Sequence, residues 1–434
     1  MNMLRLLVIT YDFPPVGGIG VQRITKWVKY FPKYRIEPLV LTNEHGLGYV
    51  QDDLLLKYDY IKKTITYRLG GRQLKKYHVL KKNGHLFSPY NFFLLFKSIR
   101  GMDIYSSWYF EIKNEINRIC EQQKIDCVLT TSPPHSTHLF GNHTKTNCGI
   151  PWIMDLRDSM TDWPLRKKSL MFSLISKIES FYEKKFYSNS DKVVFATNYM
   201  KNHAQHRIKN LHDSKTIVIR NGFDPEDFEN LINNTKKIDK FNITYTGTIH
   251  PRMNPKPLCD ALITLIKNKK ILKDDIVMRI VGKIEKNKMG ILQSLAQFTP
   301  IEFLGHVSHK EAIKFQLSAD ILLLFVPSSK KGVEKEILTG KVFEYIGAGK
   351  PIFALASEGE LADLIRENKF GYVANPSNQA EVEATLLTAY QNWKQGGSVV
   401  SGENREQFTR ESQCETLSHI IHEVVRQHKA LINR

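Results

Sequence analysis

Glu336 and Glu344 stand eight positions apart on either side of a helix start, and the rest of the chain can be read around that stretch. Thr339 or Gly340 can cap a helix that begins near Lys341. Val342, Phe343 and Ile346 give it an apolar side, Gly347 and Gly349 are stop signals, and Pro351 blocks continuation. Ile352–Ala356 then reads as a buried strand. A helix N-terminus exposes unpaired N–H groups and a partial positive charge, which suits a phosphate. An acid on each side can accept hydrogen bonds from hydroxyl groups flanking that phosphate. A diphosphate with hydroxyls on both sides is the layout of a sugar nucleotide. The same spacing also fits an ordinary capped helix whose two glutamates face solvent.

Further candidates lie at strand ends. Ser132–His138 is a loop after the strand Cys127–Thr131, and open α/β sheets bind ligands at such carboxyl ends. His138 could polarise a substrate hydroxyl there, although a lone loop histidine is more often structural. The strand Pro151–Asp158 ends in two acids around an arginine. Asp155 and Arg157 suit an internal ion pair that supports the loop, whereas Asp158, one step further out, suits a ligand-facing position. Gly17, Gly18 and Gly20 follow the first strand, Leu4–Thr10. A dinucleotide fingerprint would place its third glycine at Arg23 and an acid near Thr42-Asn43, so NAD binding is not expected. The glycines instead let a substrate approach the backbone closely.

These residues need two scaffolds. A chain of 434 residues exceeds one compact core. Strand, helix (Val21–Phe31) and strand (Ile36–Thr42) open a doubly wound sheet. A second βα series starts at Phe241, after a polar linker over 230–240, and its strands end in loops bearing Gly, Lys and Arg. The expected architecture is α/β, with two Rossmann-like doubly wound domains facing across a cleft. Residues 1–225 are expected to form the first domain and 226–405 the second. A helix over 406–434 crosses back to the first.

Charge and composition narrow the partners. The net charge of +18 calls for acidic ones. The excess is concentrated between Lys57 and Arg100, where Lys57, Lys62, Lys63, Arg68, Arg72, Lys75, Lys76, Lys81, Lys82, Lys97 and Arg100 are relieved by Asp59 alone. Phe87, Tyr90, Phe92, Phe93 and Phe96 follow, and basic residues beside an aromatic run suit an anionic membrane interface. No nucleic-acid-binding module is visible. No apolar run approaches the roughly 20 residues of a membrane span, and no signal peptide is read. Five scattered cysteines without metal spacing suit a reducing, cytoplasmic compartment. No Asp-x-Asp pair suggests a required metal.

Assembled, these motifs resemble the family-4 retaining glycosyltransferases of the GT-B fold. The likeness runs through Pro14–Gly18, Asp155–Asp158, Asn221–Asp224, Tyr245–Gly247, Val281-Gly282, Phe303–Val307 and Glu336–Pro351, most closely to bacterial members that build surface polysaccharides and other glycans on lipid carriers. The resemblance implies transfer of a hexose-type sugar from a nucleotide sugar to a glycan or polyprenyl-diphosphate-linked acceptor, by a cytoplasmic enzyme peripheral on the inner face of the cell membrane. No cofactor and no protein nucleophile are implied. Glu336 would hold the transferred sugar, with Asp158 near it. The amides of Ile337, Leu338, Thr339 and Gly340 would lie along sugar and diphosphate. Glu344 would accept from the ribose, the backbone around Val307 would meet the base, and Gly17 and Gly18 would approach the diphosphate or acceptor. Relatives often follow Gly247 with an arginine and, later, a lysine that clamp the diphosphate. Here Thr248 follows, so the clamp is expected from Arg252 and Lys256, with Lys283 or Lys341 as substitutes. A sugar-nucleotide epimerase of the same fold and a non-catalytic sugar-nucleotide-binding protein are the alternatives. A glycogen-type phosphorylase would need a pyridoxal lysine and a longer chain.

Overall fold

The computed structural model describes residues 3–44, 52–71, 102–103, 105–161, 170–229, 231, 238–327, 337–397 and 404–433. Glu336, the basic run from Arg72 to Arg100 and most of the expected linker lie outside them. The chain forms two compact units, Met1–Arg220 with Arg410–Arg434, and Asn221–Thr409. The divisions fall at 220/221 and 409/410 rather than 225/226 and 405/406. The reason is Phe223. Its N–H donates to Phe408 O at 3.0 Å, it bridges to Thr409, and its ring packs edge-on against Phe228 in the core of the second unit.

The first unit is a seven-stranded sheet in the order β3-β2-β1-β4-β5-β6-β7, parallel throughout. Its strands are β1 (Leu4–Ile9), β2 (Ile36–Thr42), β3 (Ile65–Arg68), β4 (Cys127–Ser132), β5 (Trp152–Leu156), β6 (Lys192–Phe195) and β7 (Thr216–Val218). Successive apolar residues of β1 feed opposite layers, which is why the strand reads as a continuous hydrophobic run. Leu7 and Ile9 join Leu39, Val128, Trp152 and Phe140 on one face. Leu6 and Val8 join Ile24, Trp27 and Val28 of the helix Ile19–Tyr30 on the other. The last helix, Arg410–Ile432, adds Cys414, Leu417, Ile421 and Val424 to that second layer.

The second unit repeats the scheme with six parallel strands in the order β10-β9-β8-β11-β12-β13. These are β8 (Phe241–Thr246), β9 (Ile276–Val281), β10 (Ile301–Gly305), β11 (Ile321–Phe325), β12 (Ile352–Leu355) and β13 (Gly371–Ala374). In both units the order reverses beside the first strand, at β1/β4 and β8/β11, and that reversal opens a crevice at the strands' carboxyl ends. Two short, half-exposed edge strands, β3 and β13, go beyond what residue pattern predicts, as do the helices His138–Cys148, Asn198–Arg207, Lys286–Leu295 and Glu360–Glu367. The first of these helices is rich in Asn, Thr and His, which are weak helix formers, and tertiary packing makes it. Its Gly141 lies so close to the Trp152 indole that a Cβ there would overlap the ring.

One buried ion pair fastens the carboxyl edge of the first sheet. Arg23 and Asp155 are both fully buried. Arg23 Nη2 lies 2.8 Å and Nε 3.3 Å from the two Asp155 oxygens. The same guanidinium donates to Ile219 O and Arg220 O, each at 2.8 Å, and Thr131 Oγ1 donates to Asp155 at 2.7 Å. Helix, β4, β5 and the exit from β7 thus share one polar knot. The internal ion pair expected of Asp155 therefore exists, but with Arg23 rather than Arg157. Arg157 donates instead to Ser132 O at 2.8 Å and Pro133 O at 3.0 Å, and it fits because Gly20 carries no Cβ to meet its guanidinium.

Truncating one member of such a pair strands the other charge, at about 3–5 kcal/mol. Arg23→Ala should therefore lower the denaturation midpoint sharply. Arg23→Met with Asp155→Leu should recover part of the loss, and equal losses in both variants would show that the ion pair is not the cause.

Candidate functional site

In the second unit the chemistry gathers where β8 and β9 end. Gly247 follows β8 with φ 116°, and Gly282 follows β9 with φ 135°, both in the left-handed half of backbone space. The Gly247 N–H donates to Val281 O at 2.7 Å. A Cβ on Gly282 would collide with the Gly247 carbonyl. A Cβ on Gly247 would collide with the Lys341 side chain, so the missing methyl is the space that the lysine's methylenes and ammonium occupy.

Lys341 opens the helix Lys341–Ala348, whose N-cap is Gly340, and Gly349 closes it at φ 66° as its stop signal predicts. Its ammonium lies 5.8 Å from the centre of the Tyr245 ring. Burial lowers the Lys341 pKa and the Glu344 charge partly restores it. The group is therefore a half-dehydrated cation at the amino end of a helix, and both features favour an anion there. Ile337 and Leu338, just before the helix, pack against the core layer beneath it.

Glu344 sits one turn further along and is held by a neighbouring helix. His309–Ser318 starts with a capping box, Ser308 to Glu311 and back. Its His309 Nε2 lies 3.2 Å from Glu344 Oε1, and its Gln316 Nε2 lies 3.4 Å from Glu344 Oε2 and 3.0 Å from Thr246 Oγ1. Burial pushes the Glu344 pKa up, but the bonds from His309 and Gln316 and the Lys341 charge more than offset it. The carboxyl stays below its ordinary value and is ionised at neutral pH. Tyr345, fully buried, accepts from the Thr246 N–H at 3.1 Å and ties this helix to β8.

The structure brings together Glu344, Lys341, Gly340, Thr339, Gly247 and Thr248, and adds Gly282, His309, Gln316 and Tyr345. His309 and Gln316 were readable in part: seven residues apart, they share a helix face directly after the Phe303–Val307 motif. The clamp expected of Arg252 and Lys256 is not what the geometry favours. Both project into solvent, and Lys256 pairs with Asp260 at 2.6 Å, whereas Lys341, named only as a substitute, is the cation against Gly247. Val307 is half-buried in the loop between β10 and the capping box.

In the first unit, Gly18 is exposed with φ 106° and caps the helix Ile19–Tyr30, with Gly17 beside it. Asp158 is half-buried next to Arg157; burial raises its pKa and the Arg157 charge opposes the rise. His138 requires a correction. It opens a helix rather than lying in a loop, it is fully buried, and its ring packs beside Trp152 and Phe186. Trp152 Nε1 donates to Thr130 Oγ1 at 2.7 Å, and the same hydroxyl is hydrogen-bonded to His138 Nδ1 at 2.8 Å. His138 is a core residue. Asp103, which sequence reasoning passed over, links two elements: it accepts from the amides of Tyr105, Ser106 and Ser136 at 2.9–3.1 Å, and burial pushes its carboxyl up to about 6.

Comparison with known proteins bears on the fold and the family likeness. Residues 226–412 match the family model described as "Glycosyl transferases group 1". An uncharacterized glycosyltransferase of Methanocaldococcus jannaschii is 25% identical over 320 residues, covering 72% of this chain and 78% of the relative. Two solved structures superpose with a TM-score of 0.60: the sucrose-phosphate synthase of Thermosynechococcus elongatus, at 12% identity over 98% of this chain and 100% of that one, and WaaG, a glycosyltransferase involved in lipopolysaccharide biosynthesis, at 14% identity over 96% and 99%. The likenesses to structures carry the fold, which is that of GT-B glycosyltransferases. The chain is a homologue of glycosyltransferases.

Burial holds the His138 pKa well below its ordinary 6.5. In the unfolded chain it takes up a proton as pH falls through that value, while in the fold it stays neutral. Its share of stability is therefore present above 6.5 and is lost as pH falls below it. The drop in melting temperature between pH 7.5 and pH 5.5 should shrink in His138→Leu. An undiminished drop would take His138 out of the pH response.

Proposed function

We propose that the chain is a retaining glycosyltransferase that moves a hexose-type sugar from a nucleoside-diphosphate sugar to a hydroxyl of a glycan or polyprenyl-diphosphate-linked acceptor. The observation that carries this reading is the Lys341 ammonium, seated against Gly247 at the amino end of the helix that presents Glu344. When the bond from the anomeric carbon to the diphosphate breaks, negative charge grows on the leaving group. A fixed cation and helix amides meet that charge without reorganising, and one such donor is worth about 3 kcal/mol of barrier. The acceptor oxygen bonds to the same face of the anomeric carbon, and its proton passes to the departing phosphate, so no protein nucleophile enters. Glu344 takes ribose hydroxyls and Glu336 those of the transferred sugar, which orients the reacting carbon. Lys341 supplies the cation, so no bound metal is required on this reading. The first unit takes the acceptor at its carboxyl edge, through Gly17, Gly18 and Asp158.

Attachment to the inner face of the cell membrane belongs to the same proposal. Leu54, Leu56 and Tyr58 are exposed, Leu54 by 61%, beside exposed Lys57, Lys62 and Lys63. Apolar tips among lysines suit an anionic bilayer surface.

A thermal-shift panel of UDP-, GDP-, ADP- and TDP-sugars identifies the donor first, since a tight ligand raises the melting temperature. With that donor, Glu336→Ala and Lys341→Met should each lower kcat by roughly a hundredfold or more, while Arg252→Met and Lys256→Met stay within about threefold of the parent. Near-normal turnover in Lys341→Met would remove the lysine from the site, and a new sugar nucleotide formed from donor alone would favour an epimerase. Neutralising Lys57, Lys62, Lys63, Lys75, Lys76, Lys81 and Lys82 should release the protein from anionic liposomes, at about 1 kcal/mol per residue. Unchanged partitioning would end the membrane reading.

A further inference from the structure

We infer that His309 is a positioning residue that fixes the Glu344 carboxylate for a vicinal diol, making this site selective for ribonucleotides over 2′-deoxyribonucleotides. The inference rests on the reading of Glu344 as the ribose acceptor and adds what sets its geometry. An ionised carboxylate accepts through about four lone-pair sites. One on Oε1 is taken by His309 Nε2 at 3.2 Å, and one on Oε2 is approached by Gln316 Nε2 at 3.4 Å. Because a carboxylate cannot donate, the nitrogen facing it must carry the proton in His309, and the amide nitrogen rather than the oxygen must face it in Gln316.

The two anchors are unequal. Gln316 has its shorter bond to Thr246 Oγ1, at 3.0 Å, so it reaches Glu344 only at the margin of hydrogen-bonding distance. His309 therefore sets the carboxylate's angle. Two lone-pair sites then remain, one on each oxygen, and that is the acceptor pattern for two adjacent hydroxyls. The Glu344 side chain retains 23% of its exposure and His309 39%, so the pair is open to a ligand from solvent. Being half exposed, His309 can also be truncated without opening the core.

The test titrates UDP, GDP, ADP and CDP into the full chain, takes the tightest, and compares it with its 2′-deoxy counterpart. The parent should favour the ribonucleotide by roughly tenfold or more, the scale of one hydrogen bond to a charged acceptor. His309→Ala should lose most of that preference by weakening the ribonucleotide and sparing the deoxynucleotide. His309→Gln, whose amide nitrogen can stand where Nε2 stands, should restore it. A parent that binds ribo and deoxyribo forms alike overturns the inference, as does His309→Ala weakening both equally or neither. Binding of no nucleoside diphosphate by the parent overturns the glycosyltransferase reading itself.

Discussion

A lysine ammonium held partly out of water beside a glycine is the interaction on which the site of the second unit depends. Lys341 needs the vacant space at Gly247, and Gly247 needs its carbonyl unobstructed by Gly282. Both glycines must also take positive φ at the ends of adjacent parallel strands. Dehydration of the cation is unfavourable, as its lowered pKa records, and Glu344 one turn away offsets part of it. On the proposed function, an incoming diphosphate would offset the rest.

The first unit answers the same problem of placing charge at a sheet edge with the opposite solution. There the cation is satisfied internally. Arg23 spends its donors on Asp155 and on two carbonyls beyond β7, and nothing of it reaches solvent. Its return is geometric, since the first helix, two central strands and the unit's exit are fixed relative to one another. The loop with the exposed Gly18 therefore starts from a rigid base. The arginine that stands where a dinucleotide fingerprint would have its third glycine supplies the anchor.

Much of this was legible in the residues. Continuous apolar strands at Leu4–Ile9 and Ile321–Phe325, a glycine stop at 349 and a helix start at Lys341 all arise from local chemistry, which sequence displays. Gly347, read as a second stop, lies inside the helix, where a Cβ would meet the Phe228 ring. What sequence concealed was set by distant contact. The Asp155 partner lies 132 positions away, beyond any spacing rule, and the nearer Arg157 was the natural but wrong guess. His138 belongs to a helix of weak helix formers that packing against Trp108, Trp152 and Phe186 sustains, so its residues looked like a loop. Arg252 and Lys256 matched the order in which relatives place their cations, whereas the cation that fills the space beside Gly247 comes from 94 residues later in the chain. The single-turn offset between Lys341 and Glu344 was visible, but the contacts that bring His309 and Gln316 to Glu344 were not.

The return of the last helix to the first unit has a consequence for biosynthesis. The second unit is one uninterrupted segment, Asn221–Thr409, and can close as soon as it leaves the ribosome. The first unit begins earlier but finishes last, because Leu417, Ile421 and Val424 cover the sheet face that holds Trp27 and Val28. Until translation reaches them, the nascent amino-terminal sheet carries an uncovered apolar layer, and that interval is when the chain most needs a chaperone.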